Sequence, residues 1–209
     1  MIDSTFPWIV AATVGFSHAF EADHLLAVSN IVTRRPNTIT AVKDGIFWGL
    51  GHSSTILGIG LLMIAAKIAI SEDLFHGFEA LVGLMLIGLG IHRIWKSQNL
   101  RRHQEDHEHL PPHDHRLAYG VGLIHGLAGS GALILLVMTQ IPEKTGALLY
   151  LLIFGAGSIA GMLLASGIFS LPFSKTWVNH PPLRYGLTWL SALLCVIFGI
   201  KVIFENLLW

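Results

Sequence analysis

The residues Gly15-Phe16-Ser17-His18-Ala19-Phe20-Glu21-Ala22-Asp23-His24-Leu25 place four ionisable side chains in a short stretch of an otherwise apolar run, Pro7 to Val32. A helix needs about 20 mostly apolar residues to cross a bilayer core of about 30 Å. A charged side chain at the centre of that core costs at least about 2.5–3.5 kcal/mol. The cluster therefore calls for a compensating ion, ligand or partner. The plainer alternative is a hydrogen-bonded knot between helices, or a segment lying at the interface. On a regular helix at about 100° per residue, His18, Glu21 and His24 follow one side, while Asp23 points nearly opposite Glu21. No unbroken helix can aim His18, Asp23 and His24 at one ion. Either the helix unwinds around Phe20 to Ala22, or Asp23 acts indirectly by fixing the tautomer of an imidazole. Broken helices at membrane depth occur where they line a cavity, and the break is the preferred reading.

Working outward, five further runs have the length and apolarity of a span: Asp44 to Ile70, Leu74 to Trp95, Leu117 to Thr139, Thr145 to Ser170 and Leu183 to Leu207. Turn chemistry separates them, as in Arg34-Arg35-Pro36-Asn37 and Asn179-His180-Pro181-Pro182. The composition agrees: 53% of the 209 residues are hydrophobic, only 12% are charged, and mean hydropathy is +0.63. With 13 Lys+Arg against 13 Asp+Glu there is no basic field to attract nucleic acid. The lone Cys195 excludes a disulfide scaffold or a thiolate zinc cluster. The first run carries Asp3 and no Lys or Arg ahead of it, so it is expected to remain as a span rather than be cleaved as a leader.

The expected fold is all-α, with six transmembrane helices arranged as two inverted three-helix repeats in a single membrane domain, 1–209. The first repeat covers 1–96, a His-rich loop covers 97–116, and the second repeat covers 117–209. The repeat is read from three matches: Val14–His18 with Val121–His125, Gly49-Leu50-Gly51 with Gly155-Ala156-Gly157, and Gly90-Ile91-His92 with Gly199-Ile200-Lys201. An odd number of helices per copy forces the second copy to enter from the opposite side, which is a transporter architecture. Small-xxx-small pairs at Gly45/Gly49, Gly122/Gly126 and Gly157/Gly161 read as close helix packing. Most Lys and Arg fall on the side of the Arg34-Arg35 loop, so that side is expected to be cytoplasmic and both termini outside.

Other intramembrane polar residues extend the first cluster. His52 lies in Gly49-Leu50-Gly51-His52-Ser53-Ser54-Thr55, and His125 corresponds to His18 in the repeat. His76, His92 and His180 fall near span ends, where an interfacial role is expected. Imidazoles with a carboxylate suit Ni²⁺, Co²⁺ and Zn²⁺, whereas Mg²⁺ and Ca²⁺ prefer all-oxygen sites. The candidate metal residues are His18, Glu21, Asp23, His24, His52 and His125. The loop holds His103, His107, His109, His113 and His115 among acidic residues, a composition suited to buffering or handing over metal.

His18-Ala19-Phe20-Glu21-Ala22-Asp23-His24 is an HxxxxDH element that resembles the signature of the nickel/cobalt transporter family, and Gly51-His52-Ser53-Ser54 resembles its glycine-histidine-serine motif. The short chain and its Val121 to Gly131 segment are more similar to the six-helix, UreH-type relatives associated with urease metallation. The resemblance implies secondary transport of Ni²⁺, sometimes Co²⁺, across a bacterial cytoplasmic membrane, with His18, Asp23, His24 and His52 handling the metal. Larger family members have eight spans; here span four offers His125-Gly126-Leu127-Ala128-Gly129-Ser130-Gly131, with no carboxylate. The expected partners are a divalent transition-metal ion, the lipid bilayer and a cytoplasmic metallochaperone. The ion is cargo; no prosthetic group is expected. No ATP-binding G-x-x-x-x-G-K-[ST] element is present. Two other classes stand beside transport: an intramembrane zinc enzyme, which lacks an H-E-x-x-H element, and an accessory or assembly subunit. The reading adopted is not an enzyme.

Overall fold

The structure is a computed structural model that describes residues 6–32, 35, 37–66, 71–102, 115–128, 141, 143–171 and 181–207. All regular elements among them are helices: α1 (Phe6–His18), α2 (Ala22–Val32), α3 (Thr38–Ala66), α4 (Glu72–Arg102), α5 (Arg116–Leu127), α6 (Lys144–Ser170) and α7 (Pro181–Leu207). Thr38–Ala66, Asp73–Gln98, Lys144–Ser170 and Tyr185–Leu207 are each long and apolar enough to cross a membrane. Large apolar side chains such as Leu61, Leu84, Leu190 and Ile197 point outward, while His24, His52, His125, Asp44 and Ser158 are buried. This distribution inverts that of a water-soluble domain.

The first run is interrupted as its charges require. Helix α1 stops at His18 and α2 starts at Ala22. Across the gap the bonding tightens to i→i−3, from Phe20 N–H to the Ser17 carbonyl and from Glu21 N–H to the His18 carbonyl. The Glu21 carbonyl then accepts Leu25 N–H and opens α2. Asp23 thereby enters the first turn of a helix, where the exposed N–H groups favour negative charge.

Several ends differ from the sequence boundaries. Helix α3 begins at Thr38 rather than at Asp44, because the Asn37 side chain accepts Thr40 N–H at 2.9 Å and caps it. Asp44 is consequently a helix-interior residue, buried under Arg35 and His115. Helix α4 continues past Trp95 to Arg102, so the start of the expected loop is helical. Of span four, α5 is described to Leu127, and 129–139 lie outside the described residues.

Helices from the two halves pack crosswise: α1 on α6, α3 on α5 and on α6, and α4 on α7. Their contacts recur at corresponding positions. Gly15 lies against the Phe154 carbonyl and Gly122 against the Trp48 carbonyl; Gly51 lies against the Tyr119 carbonyl and Gly157 against the Ala12 carbonyl. In the third helices Gly90 meets Ala192 and Val196, while Gly199 meets Gly83 and Ile87. The offsets that align the sequence matches carry each member of these pairs onto its counterpart. A Cβ at Gly15 or Gly122 would collide with main chain, which no rotamer change relieves. Two buried hydroxyls reinforce the packing, Ser53 to the Gly155 carbonyl and Ser158 to the Gly15 carbonyl, both at 3.1 Å.

Candidate metal centre

The break after α1 rotates the chain so that His18 and His24, on different helices, meet with ring centres 4.6 Å apart. Helix α3 brings His52, whose ring centre is 5.2 Å from that of His18 and 5.3 Å from that of His24. Helix α5 brings His125, 4.5 Å from His24. The four imidazoles are buried, at 7%, 1%, 0% and 1% exposure for His18, His24, His52 and His125. Trp48 stacks on His24 at 5.5 Å, and Phe154 lies beside His18 at 5.7 Å.

Two carboxylates orient these rings from one side only. Glu21 Oε1 lies 2.8 Å from His18 Nδ1, and Asp23 Oδ1 lies 2.9 Å from His24 Nδ1. A carboxylate can only accept, so these contacts put the ring proton on Nδ1 and leave Nε2 with its lone pair. Asp23 Oδ2 is also 3.4 Å from His125 Nε2, but the approach is not aligned as a hydrogen bond. His18 Nε2, His24 Nε2 and both ring nitrogens of His52 and His125 are buried without a hydrogen-bond partner. An unsatisfied buried polar group costs about 1–3 kcal/mol. Each neutral ring offers one lone pair, so the four buried imidazoles are four potential ligands that no hydrogen-bond donor occupies at those nitrogens.

The sequence candidates separate by place. His18, His24 and His52 form one group whose ligand atoms lie within 4.8 Å of one another, and Asp23, His24 and His125 form a second. Glu21 belongs to neither group: its side chain is 56% exposed and contacts the His18 ring. The helix is broken between His18 and Ala22, as the spacing requires, and Asp23 Oδ1 also faces the Nδ1 of His24. His103, His107, His109 and His113 lie outside the described residues. His115 is described and sits away from the four-histidine group: its Nδ1 is 2.7 Å from Asp44 Oδ1, and its ring stacks on Phe47. Arg35 Nη2 donates to the same Asp44 oxygen at 2.7 Å, and Nε donates to the other. Sequence reading missed this knot, and it missed Trp48 and Phe154; the correspondence of Trp48 and Phe154 in the repeat was the one available signal.

Over 202 residues, 92% of this chain and 88% of the relative, the chain is 33% identical to the urease accessory protein UreH of Bacillus sp. (strain TB-90). It is also 28% identical to the nickel transporter NicT of Mycobacterium tuberculosis over 98 residues, and 33% identical to the high-affinity nickel transport protein of Cupriavidus necator over 89 residues. Those stretches cover 41% and 39% of this chain but only 25% and 24% of the two transporters. No protein-family model matches the chain, and no solved structure matches it with significance. The chain belongs to the UreH family of urease accessory proteins, and parts of it are similar to nickel and cobalt transport proteins. These relatives are transport and accessory proteins, not enzymes, and the apolar helices make the chain a multi-pass membrane protein.

Proposed function

We propose that this protein carries divalent transition-metal ions, Ni²⁺ foremost and Co²⁺ next, across a bacterial cytoplasmic membrane, with the ion held by His18, Asp23, His24, His52 and His125. The observation that carries the reading is the set of partnerless imidazole nitrogens converging inside an apolar helix bundle. Neutral imidazoles with one carboxylate are the donor chemistry of late first-row ions, and Zn²⁺ is compatible with the same donors. Further support comes from relatives named as nickel and cobalt transport proteins, including the cobalt transport protein NhlF of Rhodococcus rhodochrous.

The same reading takes the architecture as six spans in two inverted repeats, with α1 and α2 together as one interrupted span and span four as Leu117–Thr139. The paired glycine contacts support it. Both termini face outward, and the His-rich tract is cytoplasmic, where it buffers metal and passes it to a metallochaperone. An accessory role without transport is the second reading, favoured by the name of the relative that the chain covers along most of its length.

Purified protein in proteoliposomes, offered Ni²⁺, Co²⁺ and Zn²⁺ on either side, decides between the two. Transport predicts Ni²⁺ accumulation that His24→Ala abolishes at equal incorporation. No accumulation of any ion from either side would leave the accessory reading standing.

A further inference from the structure

The donors around His24 do not collect at one point. They fall into two groups, His18–His24–His52 and Asp23–His24–His125, and His24 is their only common member. The remainder is ordered by the relation between the halves. His18 and His125 occupy corresponding positions, their ring centres are 4.6 and 4.5 Å from His24, and they belong to different ligand groups. Each is backed by an aromatic ring from the opposite half at corresponding positions, Phe154 at 5.7 Å from His18 and Trp48 at 5.6 Å from His125. The correspondence fails at Asp23 and His24, which align with Ser130 and Gly131, and at His52. The counterpart of His52 is Ser158, whose hydroxyl is spent on the Gly15 carbonyl. Of the four clustered imidazoles the second half therefore supplies His125 alone, and Asp23 lies 3.4 Å from it.

We propose that the protein has two alternative positions for a divalent cation, one with His18 and His52 and one with Asp23 and His125, and that His24 serves both in turn. This rests on the metal-carrying reading above. The two positions differ in chemistry. An ion among three neutral imidazoles keeps its full charge, whereas an ion beside Asp23 is partly neutralised. Because His24 belongs to both, the positions exclude each other, and the pair holds one ion at a time. Transfer between them needs the ion to shift about His24 rather than to be released in full.

The test uses the full-length protein in detergent micelles with Ni²⁺, measuring stoichiometry and affinity by calorimetry and the number of imidazole ligands by X-ray absorption. With His103, His107, His109 and His113 changed to glutamine in every sample, the parent is expected to bind one Ni²⁺ per chain. His18→Ala and His125→Ala should each keep one Ni²⁺ within about tenfold of the parent affinity, and the double variant should fall by more than about a hundredfold. The imidazole count should be higher in His125→Ala than in His18→Ala, because the former retains the three-histidine position. His18→Gln and His125→Gln, which keep a polar side chain at each place, replace any alanine variant that does not elute as a single species. Loss of binding in either single variant would overturn the proposal, as would full binding in the double variant or equal imidazole counts. A parent that binds no Ni²⁺ would instead remove the metal-carrying reading itself.

Discussion

Asp23 grips His24 with a single oxygen: Oδ1 accepts the His24 backbone N–H at 2.8 Å and faces its Nδ1 at 2.9 Å. The contact fixes the ring orientation and directs Nε2 into the interior. Removing such an orienting partner typically costs 10–100-fold in metal affinity. Asp23→Asn is therefore expected to weaken Ni²⁺ binding by about that factor while the protein still purifies as a folded species. Calorimetric titration checks it; unchanged affinity would mean that the carboxylate neither orients a ligand nor ligates.

His52 has no hydrogen bond at either ring nitrogen. Replacing it with leucine removes two unsatisfied groups, each costing about 1–3 kcal/mol. Metal-free His52→Leu is thus expected to unfold at a higher temperature than the parent, and to lose Ni²⁺ uptake. Thermal unfolding in detergent, set beside proteoliposome uptake, measures both. A destabilised variant would show that His52 is a structural residue with partners of its own.

Asp44 serves two donors, Arg35 and His115, and is 1% exposed. Breaking a buried ion pair from one side costs about 3–5 kcal/mol. Asp44→Ala should therefore lower the unfolding temperature sharply. His115→Ala, which leaves the Arg35 pair in place, should lower it less. Equal losses in the two variants would contradict this ordering.

Glycines divide into those pressed on main chain and those facing open space. Gly122→Leu meets the Trp48 carbonyl, and Gly157→Leu meets the Ala12 carbonyl, so both are expected to abolish monodisperse protein. Gly58→Ala and Gly88→Ala, with nothing within 4 Å, should be neutral or slightly stabilising, by up to about 1 kcal/mol. Size-exclusion profiles of the four variants decide the matter.

Changing His103, His107, His109 and His113 together to glutamine, with His115 kept, should leave proteoliposome uptake near the parent rate. The same change should reduce the nickel retained by cells. Complete loss of uptake in vesicles would place the tract in the ion pathway.

The intramembrane site was legible where its chemistry contradicted its surroundings. Four ionisable groups in a lipid-compatible run forced an interruption near Phe20, and His52 and His125 stood out against apolar neighbours. The helix ends were less legible. Hydropathy put the start of a span at Asp44, whereas the cap that sets it is Asn37, an ordinary turn residue in sequence. The meeting of Arg35, Asp44 and His115 was invisible for another reason. It joins side chains from a loop, a helix interior and the start of another helix, and no periodicity encodes such a meeting. Trp48 read as one more apolar residue, because stacking on His24 depends on a helix crossing that the sequence does not state.

The crosswise pairing of helices has a bearing on how the chain becomes a folded object. Gly15 of α1 and Gly45 and Gly51 of α3 each press on a main-chain carbonyl from the other half of the sequence. A ribosome that has delivered only residues 1–102 has released a fragment whose close-packing surfaces are still waiting. Severed halves expressed separately should be degraded or aggregate, and expressed together they should find each other. Assembly is thus a late, all-at-once event, and the buried imidazoles come together only when it happens.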